Sequence, residues 1–109
     1  MRYPEFWAVY LAAHADPRNR ALHYTGTIGA LAAAALGLLM WDWRWLVAAP
    51  VIGYAPAWLG HLVFERNRPA TFAHPIWSLA GDFRMLALFL AGRLSGELRR
   101  ASARIDAAK

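Results

Sequence analysis

Four histidines, His14, His23, His61 and His74, are the residues best suited to chemistry in a chain of 109 residues without cysteine. The absence of thiols excludes disulfides, zinc–thiolate sites, iron–sulfur clusters and cysteine nucleophiles together, and leaves four imidazoles and seven carboxylates as candidate metal ligands. Neutral imidazoles, with or without a carboxylate, suit a non-haem iron site if coordination positions stay open for oxygen and substrate. Glu65 follows His61 by four positions, which places both on one face of a helix. Asp16 and Asn19 lie in the polar connection Asp16-Pro17-Arg18-Asn19-Arg20 between His14 and His23. A single histidine at a helix end is more often a cap or a packing polar group than a ligand, so the elements that carry the four decide their meaning.

Those elements are apolar. Hydrophobic residues make up 59% of the chain and charged ones 17%, against about 45–50% and about 25% in a soluble domain. Ala21–Trp41 and Trp45–Phe64 contain no Asp, Glu, Lys or Arg, and at about 1.5 Å per helical residue each is long enough to cross about 30 Å of hydrocarbon. Between them Trp41-Asp42-Trp43-Arg44-Trp45 has the composition of an interfacial aromatic belt. The expectation is an all-α, single-domain membrane protein over residues 1–109, built on a transmembrane hairpin with N-terminal and C-terminal helices. The first span is rich in small residues that permit close helix contact, and Pro50, Gly53, Pro56 and Gly60 should kink or break the second. Glu5–Ala13 reads as a short apolar helix that caps the bundle or lies in the interface. Residues 75–94, interrupted by Asp82 and Arg84, read as a third imperfect span, a re-entrant segment or an interfacial helix, and 93–109 as a basic tail. Phe6–Ala15 also imitates a signal-peptide core with a cleavage site, but its n-region is weak and cleavage would remove His14.

The net charge of +5 is explained by this layout. Arg18 and Arg20 precede the first span and Arg66 and Arg68 follow the second, so the hairpin gathers them on one side, which the positive-inside rule makes cytoplasmic. Basic and aromatic residues sit at membrane boundaries rather than on one contiguous face, so a nucleic-acid partner is not expected. The same antiparallel pairing brings His23 and His61 to similar depth. It sets His14 and His74 on the same rim, so that all four histidines converge where the polar end of a lipid would lie.

At this point the motifs resemble a known family. Tyr10-x3-His14-x4-Asn19-x3-His23-x2-Gly26, then Trp58-x-Gly60-His61-x2-Phe64-Glu65-x3-Pro69-Ala70, then Pro75-x-Trp77-Ser78-Leu79-x-Gly81-Asp82-Phe83 are similar to the Mpo-type integral membrane 2-hydroxy fatty acid dioxygenases over about residues 3–92. The resemblance implies Fe(II)-dependent α-oxidation at a membrane, the bacterial inner membrane for a bacterial member. A 2-hydroxy fatty acid would be shortened by one carbon with O2 and release of CO2. It places the essential histidines at His14, His23, His61 and His74. Glu65 is then a further ligand, a residue holding an imidazole proton, or a partner of Arg66 or Arg68. The substrate's carboxylate and 2-hydroxyl could chelate the iron, with Arg18, Arg20, Arg66 or Arg68 neutralising the carboxylate. Asn19 would orient His14 or His23, or else N-cap the first span. The acyl chain would lie between the spans. An oligomer is compatible with this reading.

Two rivals stand beside it. A non-catalytic membrane scaffold or assembly protein would use the histidines as interfacial polar groups, and a haem- or quinone-binding subunit would use a His pair on the two spans. The membrane di-iron desaturases and hydroxylases need many more histidines than four.

Overall fold

The structure is a computed structural model that describes residues 1–109, and it is all helical. Helix α1 (Tyr3–Ala12) leads into α2 (Pro17–Leu39) and α3 (Trp43–Gly60); a π-helical turn (His61–Glu65) and a 3-10 turn (Ala70–Phe72) then connect to α4 (Pro75–Leu90) and α5 (Leu94–Ala107). The molecule measures 50 × 27 × 26 Å, its long axis accounted for by the α2–α3 hairpin and the head that α1, α4 and α5 build at the hairpin's root.

One local device opens both long helices. Asp16 and Asp42 are N-caps whose carboxylates accept the backbone N–H of Arg18 (2.9 Å) and Arg44 (3.1 Å), and the same arginines return their guanidiniums to the same carboxylates at 2.8 and 2.9 Å. Capping meets the orphan donors of the first turn, and Pro17, which has no N–H to satisfy, suits its position next to the cap. The N-cap of the first long helix is therefore Asp16, and Asn19 lies within the helix. Trp41, with φ of 51°, turns the chain back at the hairpin tip.

Helix α2 packs on α3 most closely where side chains vanish. A Cβ added to Gly26 would stand 2.6 Å from the carbonyl oxygen of Gly53, so the two backbones touch there. Helix α3 runs through Pro50 and Pro56 without leaving helical conformation; the expected irregularity falls at residues 61–65 instead. Pro17–Leu39 and Trp43–Glu65 are each long and apolar enough to cross a membrane.

The head has its own core. Phe6, Trp7, Tyr10 and Leu11 of α1 are almost fully buried against Met85 of α4 and Leu94 and Ala101 of α5. Leu94, Leu98, Ala101 and Ile105 recur at helical spacing, so the basic tail is a regular amphipathic helix laid on α1. Helix α4 is 16 residues long and is not among the helices able to span.

The same substitution should act with opposite sign at two glycines. Gly26→Ala is expected to destabilise the hairpin by at least about 1 kcal/mol through overpacking. Gly96→Ala in α5, where the nearest atom is an Arg100 side-chain nitrogen at 3.6 Å, should stabilise it by about 0.5–1 kcal/mol. Unfolding in detergent–denaturant mixtures measures both.

Candidate metal centre

Three of the four histidines meet. His14 follows the end of α1, His23 lies on the second turn of α2, and His61 opens the π-helical turn after α3; their exposures are 1%, 4% and 1%. The Nε2 atom of His14 is 3.0 Å from that of His23 and 3.0 Å from that of His61. The rings are nearly perpendicular in pairs, at 79°, 81° and 89°. One ligand atom from each of the three lies within 4.8 Å of the others.

The other ring nitrogens decide what those Nε2 atoms are. His14 Nδ1 faces the backbone carbonyl of Tyr10, His23 Nδ1 the carbonyl of Asn19 at 2.9 Å, and His61 Nδ1 the Asn67 Oδ1 at 2.6 Å. The Asn67 amide is itself oriented, because its Nδ2 donates to the Ala13 carbonyl at 3.1 Å. All three partners are acceptors, so every Nδ1 carries the proton and donates it. Every Nε2 is then a bare lone pair, and three lone pairs point at one another in a buried site. They repel unless a proton or a cation stands among them. Burial, reinforced by the two neighbouring imidazoles, holds the His14 pKa well below the ordinary histidine range, which keeps the ring neutral and ready to ligate.

The donor set fits a metal ion on these grounds. With a metal–nitrogen bond of about 2.1 Å, two nitrogens 3.0 Å apart subtend about 90° at the ion, an angle that leaves room for further ligands. The same spacing is unsuitable for bis-His haem. Axial haem nitrogens face each other across the macrocycle, farther apart than the 3.0 Å that separates His14 from either partner.

The remaining site residues hold the frame. Glu65 does not join the group: its Oε1 accepts the backbone N–H of Asp16 at 2.6 Å and the Asn19 amide at 3.4 Å, tying the α1–α2 connection to the end of the π turn. A π turn, like an α turn, leaves residues four apart on about one face, so Glu65 stays on the His61 side, where Asp16 and Asn19 take up its carboxylate. Asn19 is fully buried and orients His23 through its backbone carbonyl, while its side chain goes to Glu65. A Cβ on Gly60 would fall 2.1 Å from Asn19 Oδ1, so Gly60 makes the space for it. Arg20 donates to the carbonyls of His14 and Ala15, both at 2.8 Å, and closes the loop that presents His14. Arg18 pairs with Asp16 and lies 4.4 Å above the Phe64 ring. Arg66 and Arg68 are exposed on the same rim. His74 is not brought to the other three: it precedes α4, stacks on Trp77 and meets Phe6 edge-on.

Two partners escaped the reading from sequence. Asn67 sits between two arginines with no pattern to mark it. Tyr10 was visible only as part of a motif, yet its carbonyl and its ring, stacked on His14 at 4.1 Å, both support a member of the group. Its hydroxyl donates to Asp82, whose carboxyl burial lifts to about 6 while the hydrogen bond from Tyr10 pulls it down.

Fold and site together define a class: an all-helical protein in which three buried imidazoles able to hold a metal ion close the root of an apolar hairpin. The chain belongs to the Mpo1-like family; the family model described as 2-hydroxy-palmitic acid dioxygenase Mpo1-like matches residues 1–94. No curated protein and no solved structure matches it. The family name is that of a dioxygenase, and the match ends at the first residue of α5.

His14→Ala, His23→Ala and His61→Ala are each expected to weaken divalent-metal binding by more than about 100-fold, beyond what loss of an outer partner costs, whereas His74→Ala should stay within about threefold of the parent. Metal titration of the four variants measures this. A second expectation concerns pH. The Asp82 value lies above its ordinary 3.8, so the folded chain holds an extra proton between the two values. The cost of its charge is therefore full above about pH 6 and gone below about pH 4. Asp82→Asn, which carries no charge, should raise the thermal midpoint in detergent at about pH 7.5, with the gap closing as the pH falls to about 4.

Proposed function

We propose that this chain is an Fe(II)-dependent membrane dioxygenase that shortens a 2-hydroxy fatty acid by one carbon. One observation carries the proposal: three imidazoles, each with its Nδ1 proton engaged, direct their Nε2 lone pairs to one buried point. The family name supplies the chemical class of the substrate. The balanced reaction takes R–CH(OH)–COOH and O2 to R–COOH, CO2 and water. The C1–C2 bond breaks, C2 is oxidised to the new carboxyl carbon, and O2 takes the four electrons. Bound at the triad, Fe(II) would supply the redox centre and the open positions that a 2-hydroxy carboxylate can chelate.

The chain's own residues perform the rest. The three Nδ1–H bonds fix the ligands before substrate arrives, which lowers the reorganisation required on binding. Arg18, Arg66 and Arg68 form a cationic rim that attracts the carboxylate. A cleft of about 360 Å³ between α2, α3 and α4 would take the acyl chain; its wall includes Thr27, Ala30 and Ala34 on α2, Pro50 and Gly53 on α3, and Phe83 on α4. Thr27 is one helical turn, about 6 Å, from His23 toward the hairpin tip, which sets the near end of the cleft one turn from the triad.

A bilayer surrounding the hairpin supports the same reading. Less than a third of either apolar stretch is buried, and Leu31, Leu38, Val47, Val51, Leu59 and Leu62 are exposed, a surface that water would not tolerate in a soluble core helix. Trp41 and Trp43 project at the tip, while Arg18, Arg20, Arg66, Arg68 and the basic helix α5 lie at the root. By the positive-inside rule the root, and the triad with it, faces the cytoplasm in a bacterial inner membrane.

Anaerobically purified protein loaded with Fe(II) and given 2-hydroxypalmitate with O2 should yield CO2 and the acid one carbon shorter. Ala30→Phe should raise KM for the long acid several-fold, with little change for a short one. No O2 uptake with 2-hydroxy acids of any length would overturn the enzymatic reading and leave the scaffold.

A further inference from the structure

Asp82 is the one carboxyl that lines the apolar cleft, and its one side-chain hydrogen bond is accepted from the Tyr10 hydroxyl. A carboxylate in such surroundings is costly unless it performs a task. The task is visible in what Tyr10 touches. Its ring is 1% exposed and stacks on the His14 ring at 4.1 Å and 28°, and on Trp7 at 5.4 Å and 12°. Helix α4 grips this ring at two consecutive residues. Gly81 leaves the space, since a Cβ there would come within 3.1 Å of the ring, and Asp82 holds the hydroxyl.

We propose that Asp82 is a positioning residue for His14: by holding the Tyr10 hydroxyl it fixes the Tyr10 ring, and through that ring the plane and depth of the imidazole stacked on it. The inference rests on the reading of His14, His23 and His61 as a metal-ligating group. It assigns to α4 a part in the site although no α4 side chain belongs to the triad. Indirect support of this kind typically changes metal affinity by about 10–100-fold.

Co(II) titration in detergent, followed by the visible spectrum, tests the link without recourse to activity. Tyr10→Phe and Asp82→Leu should each weaken Co(II) binding about 10-fold or more and alter the spectrum in the same way. Asp82→Asn, whose Oδ1 still accepts from Tyr10, should stay within about threefold of the parent. The double variant Tyr10→Phe/Asp82→Leu should bind no more weakly than the weaker single variant, because both break one link. A purely structural role for the pair would lower thermal stability and leave the affinity and spectrum of folded variants unchanged, and that result overturns the proposal alone. Should Asp82→Leu fail to fold, Tyr10→Phe decides: parent-like affinity and spectrum in that variant overturn the inference. A parent chain that binds neither Co(II) nor Fe(II) overturns the metal reading, and this inference with it.

Discussion

Three imidazole Nε2 lone pairs directed at one buried point are the constraint around which the rest of the molecule is organised. Neutral lone pairs at 3.0 Å repel, and a chain left to itself would rotate the rings apart or protonate one of them. The structure resists both. Each Nδ1 proton is held by an acceptor that belongs to fixed backbone or to an oriented amide, and burial of His14 disfavours its cationic form. The three imidazoles come from three separate segments, so the group cannot form before α1, α2 and the end of α3 are docked. The ties around it hold those segments together: Glu65 to Asp16 and Asn19, Arg20 to the carbonyls of His14 and Ala15, and Asn67 from His61 to Ala13.

Close backbone approach makes this docking possible. Gly26 and Gly53 let α2 and α3 meet without intervening side chains, and Gly60 yields the space that Asn19 fills. Farther toward the tip the same small residues of α2, with Pro50 and Gly53 opposite, leave an apolar cleft rather than a filled core. The molecule thus divides its labour along its length. The tip and flanks of the hairpin are exposed and apolar, a surface suited to lipid; the root is polar inside and basic outside, as the proposed site for a lipid's carboxyl end would need.

Much of the site was legible because it follows from helix pairing. Two uncharged stretches of spanning length, joined by a short turn, must run antiparallel, and His23 and His61 then share a depth whatever the details. His14 joins them because Asp16-Pro17 starts α2 directly after α1, leaving too few residues for it to lie elsewhere. His74 was not separable from the other three by this logic. Eight residues after Arg66, which is in a left-handed conformation, and beyond a 3-10 turn, His74 stands before α4 among the aromatic rings of the head, a destination that depth alone does not specify. For Glu65 the spacing from His61 gave the neighbourhood but not the partners: the Asp16 N–H and the Asn19 amide that its carboxylate meets are supplied by the α1–α2 connection.

Sequence alone determined the all-helical class, the apolar hairpin, the absence of thiol chemistry and the gathering of basic residues and histidines at one end. These depend on composition, charge and element length, each a property of a segment by itself. Tertiary structure decided which histidines meet, which tautomer each adopts, that Glu65 and Arg20 brace loops, and that Asp82 reaches His14 through Tyr10. Those outcomes depend on which acceptor faces which nitrogen across elements distant in the chain, 72 residues apart for Tyr10 and Asp82, and no local pattern encodes a partner that packing alone supplies.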